Sequence, residues 1–126
     1  MSENKVKILF VFLWNICRSP MAEMIMKKMV KDAGREEEFE ISSAATSDEV
    51  IGYDIYPPAK ECLKKHDIPF QKRGARQVTD SDYEYYDRIF VMDWANLRDM
   101  KRRFCDEKGK IQILMSLAGE EREIPD

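Results

Sequence analysis

The feature that most constrains the fold is an apolar run near the N-terminus that leads directly into a helix signal. Residues 6–14, VKILFVFLW, are almost continuously apolar and rich in Val, Ile and Phe. Such a run is typical of a strand buried on both faces, as in the middle of a parallel sheet. After a polar link, Pro20 is placed to open a helix with Ser19 as its N-cap. The sequence therefore predicts a strand, a short loop and a helix in succession.

The helix predicted over residues 20–33 carries apolar side chains at spacings of three and four, and Gly34 ends it. Met21, Ile25 and Met29 form one apolar stripe along this helix. This stripe and the other methionines of the helix are predicted to fill the core. A second strand over 39–46, FEISSAAT, completes a strand–helix–strand unit with a right-handed crossover.

Strands and helices continue to alternate in the remainder of the chain. The further predictions are a helix from Pro57 to about Lys65, a helical turn starting at 79–82, a strand over 88–92, a link over 93–96, a helix with apolar residues at 97, 100 and 104, and a strand over 110–118. This alternation predicts one α/β domain over residues 1–126, with a four-stranded, parallel, doubly wound sheet of the flavodoxin-like type.

Both faces of a doubly wound sheet need helices, and no helix is predicted after the last strand. We therefore expect that one face is covered by a homodimer or partner chain, or that the natural protein is longer.

Composition excludes several classes of function. Hydrophobic residues make up 44% and charged residues 36% of the chain, which is typical of a globular domain. A net charge of −3 predicts no nucleic-acid partner. No apolar run approaches the about 18–20 residues of a membrane span, and the N-terminus lacks a signal-peptide pattern. We therefore expect a cytoplasmic protein without a membrane partner.

The cysteines and the single histidine predict no metal site. The three cysteines, Cys17, Cys62 and Cys105, are odd in number and form no CxxC pair. Cys62 and Cys105 are predicted to be packing or surface thiols, and His66 is predicted to be exposed. No metal and no cofactor are therefore expected.

Residues 11–20, VFLWNICRSP, carry the pattern that most suggests chemistry. A helix start after a buried strand directs free N–H groups and a positive dipole end at one point. Arg18 can bind phosphate or sulfate bidentately, Ser19 adds a hydroxyl, and Asn15 can brace the loop. From these residues alone, an oxyanion site and an ordinary strand-to-helix turn with a surface arginine both remain open.

The same segment resembles the phosphate-binding loop of low-molecular-weight protein tyrosine phosphatases, V-C-x-G-N-x-C-R-S-P. Further matching motifs are MAE at 21–23, SSAAT at 42–46, YPPA at 56–59, ARQVT at 75–79, MD at 92–93 and NLRDM at 96–100. The resemblance covers essentially the whole chain. It implies a loop at the carboxyl end of the first strand in which the phosphate-binding residues are Asn15, Ile16, Cys17, Arg18 and Ser19.

Two departures from the family pattern fall on critical positions. Phe12 aligns with the nucleophilic cysteine and Trp14 with the loop glycine. Family catalysis uses a thiolate that attacks phosphorus, and phenylalanine offers no nucleophile. Tryptophan replaces a residue used for close backbone approach or positive φ, so a reshaped loop is expected. Cys17 matches an auxiliary thiol beside Arg18, and we do not expect it to replace the nucleophile.

The resemblance also implies a general acid in a loop after the fourth strand. Residues 124–126, IPD, match the start of that loop, which makes Asp126 the acid's counterpart. Because Asp126 is the last residue of the sequence, we expect it not to be held for proton transfer. Asp93 matches a family aspartate near the loop and is predicted to be structural.

Large aromatic residues stand at several positions near the expected pocket, namely Phe12, Trp14, Tyr53 and Trp94. Either they form one apolar surface suited to binding or self-association, or each packs separately.

Three functional hypotheses follow. The first is a catalytically inactive relative of these phosphatases, altered by engineering, that serves as a scaffold or binding module. The second is a phosphatase that acts on phosphotyrosine or aryl phosphates through Cys17 or another route. The third is a phosphate or phosphotyrosine binder that uses the Arg18 loop without hydrolysis.

Overall fold

The described strands form one parallel sheet. The computed structural model describes residues 5–12, 18–47, 51–52, 54–70 and 74–114, with only the backbone of Arg18 and Ser19. Its strands are β1 (Val6–Phe12), β2 (Phe39–Ala45), β3 (Arg88–Val91) and β4 (Ile111–Ile113), in the order β2-β1-β3-β4. All three neighbouring pairs are parallel. The predicted α/β class with a four-stranded, doubly wound parallel sheet is confirmed.

Helices connect these strands. They are α1 (Arg18–Asp32), α2 (Pro57–Lys65), α3 (Asp80–Tyr85) and α4 (Trp94–Phe104), with a short 3-10 turn at Glu36–Glu38. Among the described residues, none of these helices has the length and apolar character needed to cross a membrane.

Two helix starts differ from the prediction. α1 begins at Arg18, so Ser19 lies inside the helix rather than at its N-cap, and Pro20 is its third residue. Proline is tolerated there because N–H groups of the first turn have no intrahelical acceptor. α4 begins within the predicted link 93–96, because the Asp93 side chain accepts a hydrogen bond from the Asn96 N–H at 2.7 Å. A capping side chain thus extends this helix N-terminally beyond its apolar pattern.

The pleat of β1 divides the core into two layers. Ile8 and Phe10 point to the face covered by α1, whereas Leu9 and Val11 point to the face covered by α3 and α4. All four side chains are buried, which confirms a strand covered on both sides. We call the first layer the α1-face cluster; its buried members are Ile8, Phe10, Ile41, Phe90 and Met92.

The methionines of α1 only partly fill the core. Met26 packs on the α1-face cluster, and Met24 joins Ile55, Ala59 and Leu63 between α1 and α2. The predicted stripe of Met21, Ile25 and Met29 is wrong in part. Ile25 is 36% and Met29 is 65% exposed, because this side of α1 turns away from the sheet.

A tyrosine–carboxylate contact lies at the end of the sheet opposite to the connection between β1 and α1. The Tyr85 hydroxyl donates to the Glu40 carboxylate at 2.5 Å, and Lys7 Nζ lies 4.5 Å from the Tyr85 ring centroid. The hydrogen bond to Glu40 stabilises the protonated phenol and raises the pKa of Tyr85 to about 12. This contact joins α3 to β2 away from the candidate site.

A capping box starts α3 at the predicted position. The Thr79 hydroxyl accepts from the Asp82 N–H at 3.2 Å, and the Asp82 carboxylate accepts from the Thr79 N–H at 2.8 Å. Arg76 donates to the same carboxylate at 2.8 Å. Asp82 is buried, so its carboxylate depends on these partners.

We expect Asp82→Asn to lower the free energy of unfolding by about 1–3 kcal/mol, because the amide loses the ion pair and one acceptor oxygen. Asp80→Asn, an exposed change in the same helical turn, should cost less than about 1 kcal/mol. Urea denaturation of both variants measures the difference. Equal losses would contradict the role assigned to Asp82.

Candidate functional site

The candidate site lies where β1 and β3 end. β1 connects to β2 on one side and β3 connects to β4 on the other, so the connections diverge between β1 and β3. Ligands of open α/β sheets bind at such a switch point, outside the carboxyl ends of the strands. β1 ends at Phe12, α1 begins at Arg18, and residues 13–17 between them lie outside the described part.

The structure describes some of the predicted site residues and not others. Phe12 ends β1, Arg18 and Ser19 form the first turn of α1, and Trp94 opens α4. The other predicted site residues lie outside the described part: Trp14, Asn15, Ile16, Cys17, Tyr53 and Asp126. The shared aromatic surface and the phosphate-binding arrangement therefore stay predictions.

Phe12 packs into the apolar layer beneath α1. Its partly buried side chain contacts the α1-face cluster, in the same alternation as Ile8 and Phe10. Its carbonyl oxygen accepts a hydrogen bond from the Thr46 N–H at 3.1 Å. The observed packing of this ring is therefore against the core.

The N-terminus of α1 is held firmly against the sheet. The Ser43 hydroxyl on β2 donates to the Glu23 carboxylate at 2.5 Å, and Lys27 Nζ donates to it at 2.6 Å. Glu23 and Pro20 are buried. These contacts hold the N-terminal half of α1 against β2, and the positive end of the helix dipole lies in its first turn.

The loop after β2 is fixed by residues from distant parts of the chain. The Thr46 carbonyl accepts from Gln77 Nε2 at 3.1 Å and from Arg103 Nη2 at 2.8 Å. A Cβ on Gly74 would lie 3.0 Å from the Gly52 Cα, so this close backbone approach requires glycine. Gln77 stood in the ARQVT motif without an assigned role, and no sequence pattern indicated Arg103, because both roles come from contacts between distant segments.

Among the described residues, two buried polar side-chain atoms near the carboxyl end of the sheet have no hydrogen-bond partner. They are the Thr46 hydroxyl oxygen, just after β2, and the Asn96 amide oxygen, in the first turn of α4. Buried polar atoms without partners are rare in folded proteins. These two oxygens therefore leave hydrogen-bonding capacity unused at this end of the sheet.

At the end of β1 the described part of the site places the Phe12 side chain and no thiolate. Asp93 caps α4, which agrees with the structural role predicted for it. The described residues contain no group of three or more metal-ligating side chains. What this part of the chain supplies is therefore a helix N-terminus beside an aromatic ring.

Phe12→Ala should lower the free energy of unfolding by about 1–3 kcal/mol, less than for a fully buried phenylalanine because the ring is only partly buried. The exposed Tyr56→Ala serves as the control and should change stability by less than about 0.5 kcal/mol. Thermal or urea unfolding measures both. A Phe12 variant as stable as the control would contradict packing of this ring on the α1-face cluster.

Comparison with known proteins agrees with this arrangement. The family model for low molecular weight phosphotyrosine protein phosphatases matches residues 7–126. A low molecular weight phosphotyrosine protein phosphatase of Gallus gallus is 45% identical over 118 residues, which cover 90% of this chain and 74% of the relative. The protein of the same name from Homo sapiens is 42% identical over 124 residues, 92% of this chain and 75% of the relative.

Solved structures agree as well. The crystal structure of YfkJ from Bacillus subtilis has a TM-score of 0.92 and 30% identity, covering 97% of this chain and 79% of that one. A protein tyrosine phosphatase from Entamoeba histolytica has a TM-score of 0.89 and 31% identity, covering 97% of this chain and 80% of that one. With its sheet order, its loop position and these matches, the chain belongs to the low molecular weight phosphotyrosine protein phosphatase family.

Proposed function

We propose that this chain is a catalytically inactive member of its family and acts as a binding module on a phosphatase fold. The observation that carries the proposal is Phe12, whose ring packs on the α1-face cluster at the position of the family nucleophile. Its partner is an anion at the α1 N-terminus or another protein chain, including a second copy of this one.

The chemistry of covalent phosphoryl transfer explains why one residue decides activity. A thiolate sulfur donates an electron pair to phosphorus, and the phosphocysteine is then hydrolysed by water. A phenyl ring has no lone pair to donate, so this intermediate cannot form. Loss of the nucleophile in another covalent hydrolase lowers kcat about 10⁶-fold. The names of the relatives favour phosphatase activity, but activity resides in the site rather than in the fold.

The alternative is phosphatase activity through Cys17. That thiol directly precedes Arg18, the first residue of α1, whereas the family nucleophile stands at the end of the first strand. A nucleophile and its oxyanion donors must meet at one reacting atom. Cys17 stands five positions after Phe12 along the chain, which argues against an exchange of roles.

Hydrolysis of p-nitrophenyl phosphate tests the proposal. We expect no turnover by the unmodified chain above the rate in buffer, because the covalent route lacks a nucleophile. Turnover that Cys17→Ser abolishes and Cys105→Ser leaves unchanged would refute the proposal and establish the alternative.

Two double variants test whether Phe12 and Trp14 cause the proposed loss of phosphoryl transfer. Phe12→Cys/Trp14→Gly should form a covalent phosphoenzyme, detectable by mass spectrometry after an alkaline quench. Phe12→Ser/Trp14→Gly opens the same space without a thiol and should form none. Two folded variants that both remain unlabelled would show that another part of the site is also lost.

A second candidate function is binding of phosphate or phosphotyrosine without hydrolysis. The start of α1 at Arg18 favours this function, because the N–H groups of the first helical turn have no acceptor within the helix and can bind an anion. The buried Thr46 hydroxyl at the same end of the sheet can donate a further hydrogen bond.

Thermal unfolding with phosphate measures this binding. A ligand that binds only the folded chain stabilises it by about 2.7 kcal/mol at a hundredfold excess over Kd, which raises Tm. Arg18→Gln should abolish the rise, whereas Arg102→Gln, an exposed change in α4, should preserve it. An unchanged Tm in the unmodified chain would exclude the anion site and leave protein partners.

Three predictions from the sequence stand beside this proposal. The engineered origin of Phe12 and Trp14 is tested by the coding sequence of the source gene. Self-association is tested by sedimentation of the purified chain, and the cytoplasmic location by cell fractionation.

A further inference from the structure

A thiol and an imidazole lie side by side at the C-terminal end of α2. Cys62 lies in the last turn of α2, and His66 is the C-cap residue of the helix. The Cys62 Sγ and the His66 Nδ1 are 4.0 Å apart. Cys62 is half-buried and His66 is exposed. We propose that two copies of this chain share one zinc-type divalent cation through Cys62 and His66 of each copy.

The distance between the two donor atoms suits a shared metal. Bond lengths of about 2.3 Å for Zn–S and about 2.0–2.1 Å for Zn–N place the two donors about 3.6 Å apart in a tetrahedral site. The observed 4.0 Å is close to this value. A small rotation of an exposed imidazole closes the difference.

Binding exchanges one contact of His66 for another. His66 Nδ1 lies 2.9 Å from the Cys62 carbonyl oxygen. When Nδ1 ligates the metal, that carbonyl is left to water, which reaches it at the exposed end of the helix. The Cys62 thiol ligates as a thiolate and releases its proton to solvent.

Local charge acts in both directions. The negative end of the α2 dipole lies at this turn and favours a cation. Lys64 and Lys65, in the same turn, oppose it. Lys64 lies 3.7 Å from the Glu61 carboxylate, which reduces its effect, and both side chains of that pair are exposed.

One chain supplies only half of the ligands. Structural zinc sites have four, and the described residues contain no group of three or more candidate ligands. A two-fold axis through the metal brings the same pair from a second copy and completes a Cys₂His₂ set. The sequence prediction of no metal site rested on the missing CxxC pair, and the present proposal departs from that prediction.

Titration of the reduced full-length chain with Co²⁺ tests the proposal, because cobalt bound by thiolate gives a charge-transfer absorption band. We expect the band to saturate at one metal per two chains. Zn²⁺ should displace the cobalt, and both metal complexes should have twice the mass of the metal-free chain in sedimentation. Cys62→Ser and His66→Gln should each abolish the band and the dimer, whereas Cys105→Ser should retain both.

Circular dichroism establishes that the variants are folded. Alkylation of the unmodified chain gives a second measurement. Zn²⁺ should protect Cys62 from alkylation and leave Cys105 reactive. The proposal is overturned by a band that persists in Cys62→Ser, by saturation at one metal per chain without a change in mass, or by alkylation of Cys62 that zinc does not slow.

Discussion

The burial of β1 on both faces is the constraint on which the rest of the structure depends. Because its side chains alternate, one strand supplies Ile8 and Phe10 to the layer beneath α1, and Leu9 and Val11 to the layer beneath α3 and α4. Both layers must then be covered by helices, which requires connections on both sides of the sheet. The connection from β1 runs to one edge of the sheet and the connection from β3 runs to the other. They diverge between the ends of β1 and β3, where the candidate site lies.

The same alternation explains how the family fold accommodates Phe12. Position 12 continues the series 8, 10, 12, so its side chain extends the apolar layer under α1. An aromatic ring there is compatible with the core. On the function proposed above, this residue contributes packing and does not supply the electron pair that covalent phosphoryl transfer needs.

The rigidity of the site edge comes from polar contacts between distant segments. Glu23 joins α1 to β2 through Ser43, and Arg103 and Gln77 converge on the Thr46 carbonyl. These contacts hold the helix start and the β2 loop in place around the end of β1. An anion site or a protein-binding surface at this edge would therefore rest on a preformed frame, which reduces the entropy lost on binding.

The sequence by itself determined the elements, the parallel sheet, the family and the lost nucleophile, because apolar periodicity, proline positions and the C-R-S-P motif are local signals. It misplaced the starts of α1 and α4, since side-chain capping and first-turn geometry override apolar patterns at helix ends. Only the tertiary structure decided that Phe12 packs on the core, that Met29 is exposed, and that Arg103 reaches Thr46. Each of these three features depends on which distant segments come into contact in the folded chain. The spacing of residues along the sequence does not specify those contacts.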